Sequence, residues 1–159
     1  MSKKEEQRAV VSVEAESGIL FGRHDYALDP KKRVTIPSEW REAFGDVVYV
    51  MPDRKDKCLN LYPKAEMDVF LGQLRQKALL DPALNRVYAK IGAVSQRLYF
   101  DVQGRIRICD KLLNFANLTD KVAMVGSFRM LKLYAPEALP PEDEVNIDEI
   151  DAVLSAAGL

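Results

Sequence analysis

The chain has 159 residues, 48% hydrophobic and 30% charged, a balance that excludes wholesale disorder and leaves enough apolar material for a real core. Its formal net charge of −1 hides a segregation: Ala135 to Leu159 holds seven acidic and no basic residues, so the preceding 134 residues carry 23 basic against 17 acidic groups, a net of +6. Overall charge therefore does not exclude a polyanionic partner.

Residues 1–18 are polar apart from Ala9-Val10-Val11 and read as an N-terminal arm, in which Val10 to Val13 is the stretch able to add an edge strand. Ile19 to Phe21 and Tyr26 to Leu28 read as strand around a break at Gly22. His24, the single histidine, has no Cys or second His beside it and reads as a surface side chain. Val34 to Ile36 is a short strand ended by Pro37. Ser38 is placed to cap a helix from Glu39 to Phe44, and Gly45 to stop it. Val47 to Met51 is an apolar run expected to be a buried strand. Cys58 to Tyr62 returns after a charged hairpin loop. Pro63 opens a helix to Leu80, with Met67, Phe70, Leu71, Leu74 and Ala78 at helical spacing. Asp81-Pro82 reads as cap and first residue of a second helix through Ala93, striped by Leu84, Val87, Tyr88 and Ile91. These stripes bury the helices against the body or a neighbouring subunit.

Leu98 to Phe100 and Arg105 to Ile108 are strand halves around a tight loop, followed by a helix from Lys111 to Ala116 and strands Val122 to Val125 and Met130 to Tyr134. Glu137 to Glu144 is an acidic, proline-bearing linker. Asn146 is placed to cap a last helix, Ile147 to Ala157, closed by Gly158, with Ile150, Val153 and Leu154 on one edge. No run approaches the ~18 apolar residues of a membrane span and no signal-peptide pattern opens the chain, so a cytoplasmic protein is expected. Cys58 and Cys109 form no Cys-x-x-Cys pair and read as small buried hydrophobes.

The chain repeats itself at an offset of 72 residues. Asp29 and Arg33 fall on Asp101 and Arg105. Ser38 falls on Asp110, both suited to capping a helix, and Gly45 falls on Asn117, both suited to the left-handed helix stop. Leu59, Leu61 and Tyr62 fall on Leu131, Leu133 and Tyr134. Two halves of this size are too small for sturdy separate cores, so they are expected to pack as a pseudo-symmetric pair. Each aspartate suits an Asx turn, and Gly104 suits a positive φ. Lys32 stands at the place of Gly104, where a lysine held at positive φ costs about 1 kcal/mol relative to glycine.

The basic groups near the two loops are Arg23, Lys31, Lys32, Arg33 and Arg41 in the first half, and Arg97, Arg105, Arg107 and Lys111 in the second. The arginine fork suits phosphate or the O6/N7 edge of guanine. Such clusters are also common as plain solvated faces, but recurrence of a basic loop in equivalent places favours DNA contact. The solitary histidine and the absence of a Gly-x-Ser-x-Gly elbow or a phosphate-cradling glycine loop argue against an enzyme. Neither a cofactor nor a metal is expected.

Phe21-Gly22-Arg23, Leu28-Asp29 through Arg33, Ile36-Pro37, Trp40-Arg41, Leu61-Tyr62-Pro63 and the second Asp101 to Arg105 resemble the MraZ family of bacterial transcriptional regulators, which is related to the AbrB-type swapped-hairpin DNA-binding fold. The resemblance runs in register over residues 19–136, with Lys32 where the family usually has glycine. It implies an α+β fold: two tandem swapped-hairpin, AbrB-like repeats (19–63 and 95–136) forming one pseudo-symmetric, β-barrel-like unit. A helical connector (64–94) links them, and an acidic tail with a short helix (137–159) follows. By position it points to Lys31, Lys32, Arg33, Gln103 and Arg105 as DNA contacts. Arg107 and Arg23 join that set, and Asp29, Asp101 and Gly104 shape the loops. Arg33 and Arg105 have a competing role, bracing the loops by pairing with those aspartates.

The resemblance further implies a sequence-specific DNA-binding regulator of a bacterial division and cell-wall gene cluster. It would bind tandem short repeats of double-stranded promoter DNA as a homo-oligomeric ring, in the cytoplasm and at the nucleoid, with no small-molecule substrate and no membrane. The alternative is an oligomeric scaffold or protein-binding module that has lost DNA recognition. The expected interface presents two basic loop tips side by side.

Overall fold

The structure, a computed structural model, describes residues 18–139 and 144–159. The expected strand at Val10 to Val13 lies outside the described residues. In chain order the elements are β1 (Arg23–Ala27), β2 (Arg33–Thr35), α1 (Ser38–Phe44), β3 (Val47–Asp53), β4 (Cys58–Tyr62), α2 (Lys64–Leu80) and α3 (Pro82–Val94). The second half continues with β5 (Gln96–Tyr99), β6 (Arg105–Arg107), α4 (Asp110–Phe115), β7 (Lys121–Gly126) and β8 (Leu131–Tyr134). A 3-10 turn at Pro136–Ala138 and α5 (Ile147–Ala156) complete the chain. The order β-β-α-β-β thus occurs twice, on either side of the α2–α3 connector.

The halves interlock through exchanged strands. Six strands form an antiparallel sheet in the order β1-β7-β8-β4-β3-β5, while β2 and β6 form a separate two-stranded ribbon. The first strand of each half therefore pairs with the third strand of the other: Ala27 faces Lys121, and its equivalent Tyr99 faces Val47. In the ribbon Arg33 faces Arg107, Val34 faces Ile106 and Thr35 faces Arg105. Exchanging the halves maps this register onto itself about Val34–Ile106. The β4–β8 pairing, Leu59 with Leu133 and Leu61 with Leu131, does the same about Asn60–Lys132. Both central pairs thus lie at the centre of the pseudo-twofold relation.

The expected barrel is not closed. β1 and β5 are the two edges of the large sheet, and the ribbon pairs only within itself. The exchange of strands still produces one core. Val34, Ile36, Ile106 and Ile108 from the ribbon side meet Leu59, Leu61, Leu131 and Leu133 from the sheet, with Trp40, Phe44, Leu112 and Leu113 from the two short helices. Strand alternation puts all four sheet leucines on the inner face.

The outer face of the sheet is covered in two places. Met51 and Tyr62 pack with Met67 of α2, and Phe70 stacks on Tyr62 at 6.1 Å. Farther along, Cys58, Ala123 and Tyr134 pack together with Leu139. Between these patches lies a polar cluster centred on Lys132. Its ammonium bonds to Asp53 at 2.8 Å, Asp56 at 3.2 Å and Asn60 Oδ1 at 3.2 Å. Burial opposes the Asp53 charge, but Lys132 and the Asn60 amide outweigh it and hold its carboxyl below the usual range. Burial pushes the Cys58 thiol up to about 11. Asp53, Asp56 and Cys58 could offer three ligand atoms within 4.8 Å of one another. However, the thiol is protonated at neutral pH, and the cation these carboxylates hold is Lys132.

Both short helices begin one residue earlier than expected, at the residues expected to cap them. Ser38 and Asp110 are first helical residues, preceded by Pro37 and Cys109, and neither start has a side-chain cap. The extended backbone at Pro37 and Cys109 (ψ 143° and 154°) already supplies the change of direction that a cap residue makes. The expected stops hold: Gly45 and Asn117 take φ of 66° and 55°. Asp81 caps α3 by accepting from the amides of Ala83 and Leu84, and Asn146 caps α5 through Glu149. Ile19 to Phe21 is not a strand; Leu20 makes only a single bridge to Phe128. Among the described residues no helix is long and apolar enough to cross a membrane.

Candidate nucleic-acid interface

The two expected loops have the same internal geometry. Asp29 Oδ1 accepts from the amides of Lys31 (2.9 Å) and Arg33 (2.8 Å), while Oδ2 accepts from Arg33 Nε (2.6 Å). Asp101 Oδ1 accepts from the amides of Gln103 and Arg105 (both 2.9 Å), while Oδ2 accepts from Arg105 Nε (2.7 Å). In each loop the aspartate amide also donates to the arginine carbonyl at 3.0 Å. Hydrogen bonds from the arginine, backbone amide first and side chain second, hold both carboxyls below the ordinary aspartate range. Asp29 and Asp101 thus shape the turns, and Arg33 and Arg105 brace them. Both arginine side chains remain partly open, at 28% and 26% exposure.

The loops do not lie side by side. Because β2 and β6 are antiparallel, the loop preceding each strand sits at the opposite end of the ribbon. The Gly104 carbonyl accepts from the Ile36 amide at 3.0 Å, which places the second loop beside Ile36, about 13 Å along the strand from Lys32 at the usual rise. What the loops share is the outer face of the ribbon between them. Val34 and Ile106 point into the core with 0% and 1% exposure. Alternation therefore turns Arg33, Thr35, Arg105 and Arg107 to the other side. Three arginines share this face, flanked by exposed tips: Pro30, Lys31 and Lys32 at one end, Val102 and Gln103 at the other.

The two ends differ at the equivalent positions 32 and 104. Lys32 adopts φ 60° and Gly104 φ 76°, so the lysine does occupy a conformation suited to glycine. Its ammonium crosses to α4 and bonds to Asp110 at 2.9 Å, and Arg107 approaches the same carboxylate at 3.6 Å. Lys32 first and Arg107 second hold the Asp110 carboxyl below its usual value. Both pairs are solvent-exposed and add little to stability; their effect is to place a counter-ion beside the basic end. At the other end Gly104 is buried beneath Arg41 of α1. A Cβ on Gly104 would lie 2.5 Å from Arg41 Cζ, and the buried Arg41 Nε has no hydrogen-bond partner among the described residues.

Of the expected site residues, the structure brings together Lys31, Lys32, Arg33 and Arg107 at one end, and Gln103 and Arg105 at the other. Arg23 is not part of this set. It begins β1, at the far end of that strand from the loop, and its Nε donates to Asp25 at 3.1 Å. Arg97 lies on edge strand β5, where it borders the groove of the α2–α3 hairpin. His24 packs edge-on against Trp40 at 4.8 Å and pairs with Glu39. Asp110, expected as a cap, is instead the shared counter-ion of Lys32 and Arg107. Its place three residues after Arg107 was the available sequence signal; its link to Lys32, 78 residues away, had none.

The chain matches, over residues 19–87, the family model described as "MraZ protein, putative antitoxin-like". A protein of Mycolicibacterium vanbaalenii named transcriptional regulator MraZ is 27% identical over 140 residues, covering 87% of this chain and 96% of the relative. One of the same name from Clostridium acetobutylicum is 25% identical over 130 residues, covering 82% and 91%. Another from Caulobacter vibrioides is 31% identical over 114 residues, covering 70% and 73%. With the duplicated Asp-to-Arg loops and the strands exchanged between halves, these likenesses lead to one conclusion: the chain belongs to the MraZ family.

Proposed function

We propose that this protein is a sequence-specific DNA-binding transcriptional regulator whose recognition element is the β2–β6 ribbon. The observation that carries the reading is the outer ribbon face, with Arg33, Arg105 and Arg107 between two exposed loop tips. A two-stranded ribbon fits the major groove, where arginine pairs with guanine O6 and N7. Lys31 and Lys32 at one tip act as phosphate anchors, and Gln103 at the other is suited to adenine. The family's transcriptional regulators and the exchanged strands together support an AbrB-like swapped-hairpin unit.

Each subunit offers one short ribbon, so useful affinity requires several acting together. A homo-oligomeric ring on tandem short repeats supplies this through effective concentration. The target in this reading is a promoter of the division and cell-wall gene cluster, and the protein works in the cytoplasm at the nucleoid. A gel shift on tandem-repeat promoter DNA, run across a salt series, tests the proposal. Binding should fall steeply with salt and favour the repeats over scrambled DNA. No shift at low salt would instead identify a scaffold that has lost DNA recognition. Light scattering checks the ring, and a strictly monomeric mass would exclude it.

A further inference from the structure

We propose that α5 of one copy docks in the groove of the α2–α3 hairpin of a second copy, so that the acidic tail is an assembly element. The groove is a cavity of about 330 Å³ lined by Met67, Leu71, Leu74, Tyr88 and Ile91, with Arg97 at its margin. A neighbouring recess shares Tyr88 and adds Arg75 and Leu79. Among the described residues no acidic side chain lines either recess. Leu71, Leu79, Val87 and Tyr88 are exposed on this hairpin, an apolar surface that no described residue of the same chain covers.

α5 has the complementary pattern. Ile147, Ile150, Val153 and Leu154 form one apolar arc at helical spacing, and all four are exposed. Glu149 and Asp151 border that arc on either side, and the helix contains no basic residue. An apolar ridge edged by carboxylates thus matches an apolar groove edged by Arg75 and Arg97. At ten residues α5 is about 15 Å long, within the span of the thirteen-residue α3. Every residue of α5 is exposed, so no described residue of its own chain covers the arc, and a second copy supplies the matching groove. The contact joins different surfaces on the two copies and closes either reciprocally or around a ring. It involves neither the ribbon nor the loops and stands apart from the DNA reading.

Cysteine cross-linking of the full chain tests this. In a Cys109→Ser background, Leu74→Cys combined with Leu154→Cys is treated with a short bismaleimide. Covalent dimers and larger species are expected, and neither single cysteine should give them. A link confined within one chain, or no link, would overturn the proposal. Adding Leu154→Asp's charge in place of the leucine, in unlabelled full chain, provides a second reading by amide exchange. In the native protein, protection of residues 147–156 should rise with protein concentration. The Leu154→Asp variant should need about tenfold more protein for equal protection, as expected for a charge placed in a dry contact. Protection independent of concentration would mean docking on the same chain, and none at any concentration would mean a free tail; either result refutes the exchange.

Discussion

The two ends of the ribbon are built from the same turn and furnished differently. At the first, Lys31, Lys32, Arg33 and Arg107 gather around Asp29 and Asp110. At the second, Arg105 stands over Asp101, and Arg41 lies across a buried glycine. The backbone brackets are superimposable bond for bond, so the difference resides in side chains that do not determine the fold. A duplicated loop can thus keep its shape while its two copies diverge in charge. In the proposed DNA-binding role the two ends would not be equivalent, since two lysine ammonium groups stand at the first tip and an amide at the second, although the framework between them is symmetric.

The largest effect tests the shared framework. Ile106→Ala should cost about 3 kcal/mol, as for a fully buried isoleucine. Val34→Ala, which deletes fewer carbons at the facing position, should cost less; urea denaturation measures both. Next comes the asymmetry of the face. Arg107→Ala should weaken DNA binding by about 1–3 kcal/mol if it reads a base. Thr35→Arg, which completes the mirrored position, should tighten low-salt binding and steepen the salt slope by about one unit. A titration in which neither variant moved the affinity would remove the ribbon face from consideration.

Exchanging the residues at the two equivalent turns has a smaller effect. Gly104→Lys should destabilise by about 1–2 kcal/mol, because it adds positive-φ strain and displaces Arg41. Lys32→Gly should leave the fold intact, within about 1 kcal/mol of the parent. Thermal melts would show equal losses if the two sites were truly interchangeable. The smallest effect at neutral pH concerns acid. Asp29 and Asp101 both titrate below the usual 3.8. Their contribution is complete above that value and is lost as pH falls through the lower folded values. The Nε–H resonances of Arg33 and Arg105 should therefore change together below pH 3.8; one loop giving way well before the other would contradict their equivalence.

Much of this was legible because turn chemistry is local. Asp29, Asp101, Gly45, Asn117, Asp81 and Asn146 all act within a few residues of themselves, and the sequence placed each of these features correctly. Positive φ at Lys32 followed from alignment with Gly104. Pairings between the halves were harder to see. Between the short helix and the next strand the first half uses two residues, 45 and 46, whereas the second uses five, 116–120. A constant offset of 72 therefore locates the loops but misplaces β7. The separation of the tips was missed because it depends on the antiparallel sense of β2 and β6, which no local residue encodes. Ser38 and Asp110 looked like caps by type, but the extended residues before them had already turned the chain.

The Asn60–Lys132 pair bears on how such a chain evolves. In a homodimer made from two copies of the second half, Lys132 would face Lys132 at the central position, with like charges opposed. Two copies of the first half would set Asn60 against Asn60 and leave the Asp53 carboxylates without their ammonium. Divergence at this one spot works as a ratchet, making each half dependent on the other and closing the way back to a self-pairing ancestor. Expressed separately, neither half should form a stable homodimer, whereas mixing them should restore the fold; a folded homodimer of either half would show that the ratchet has not engaged.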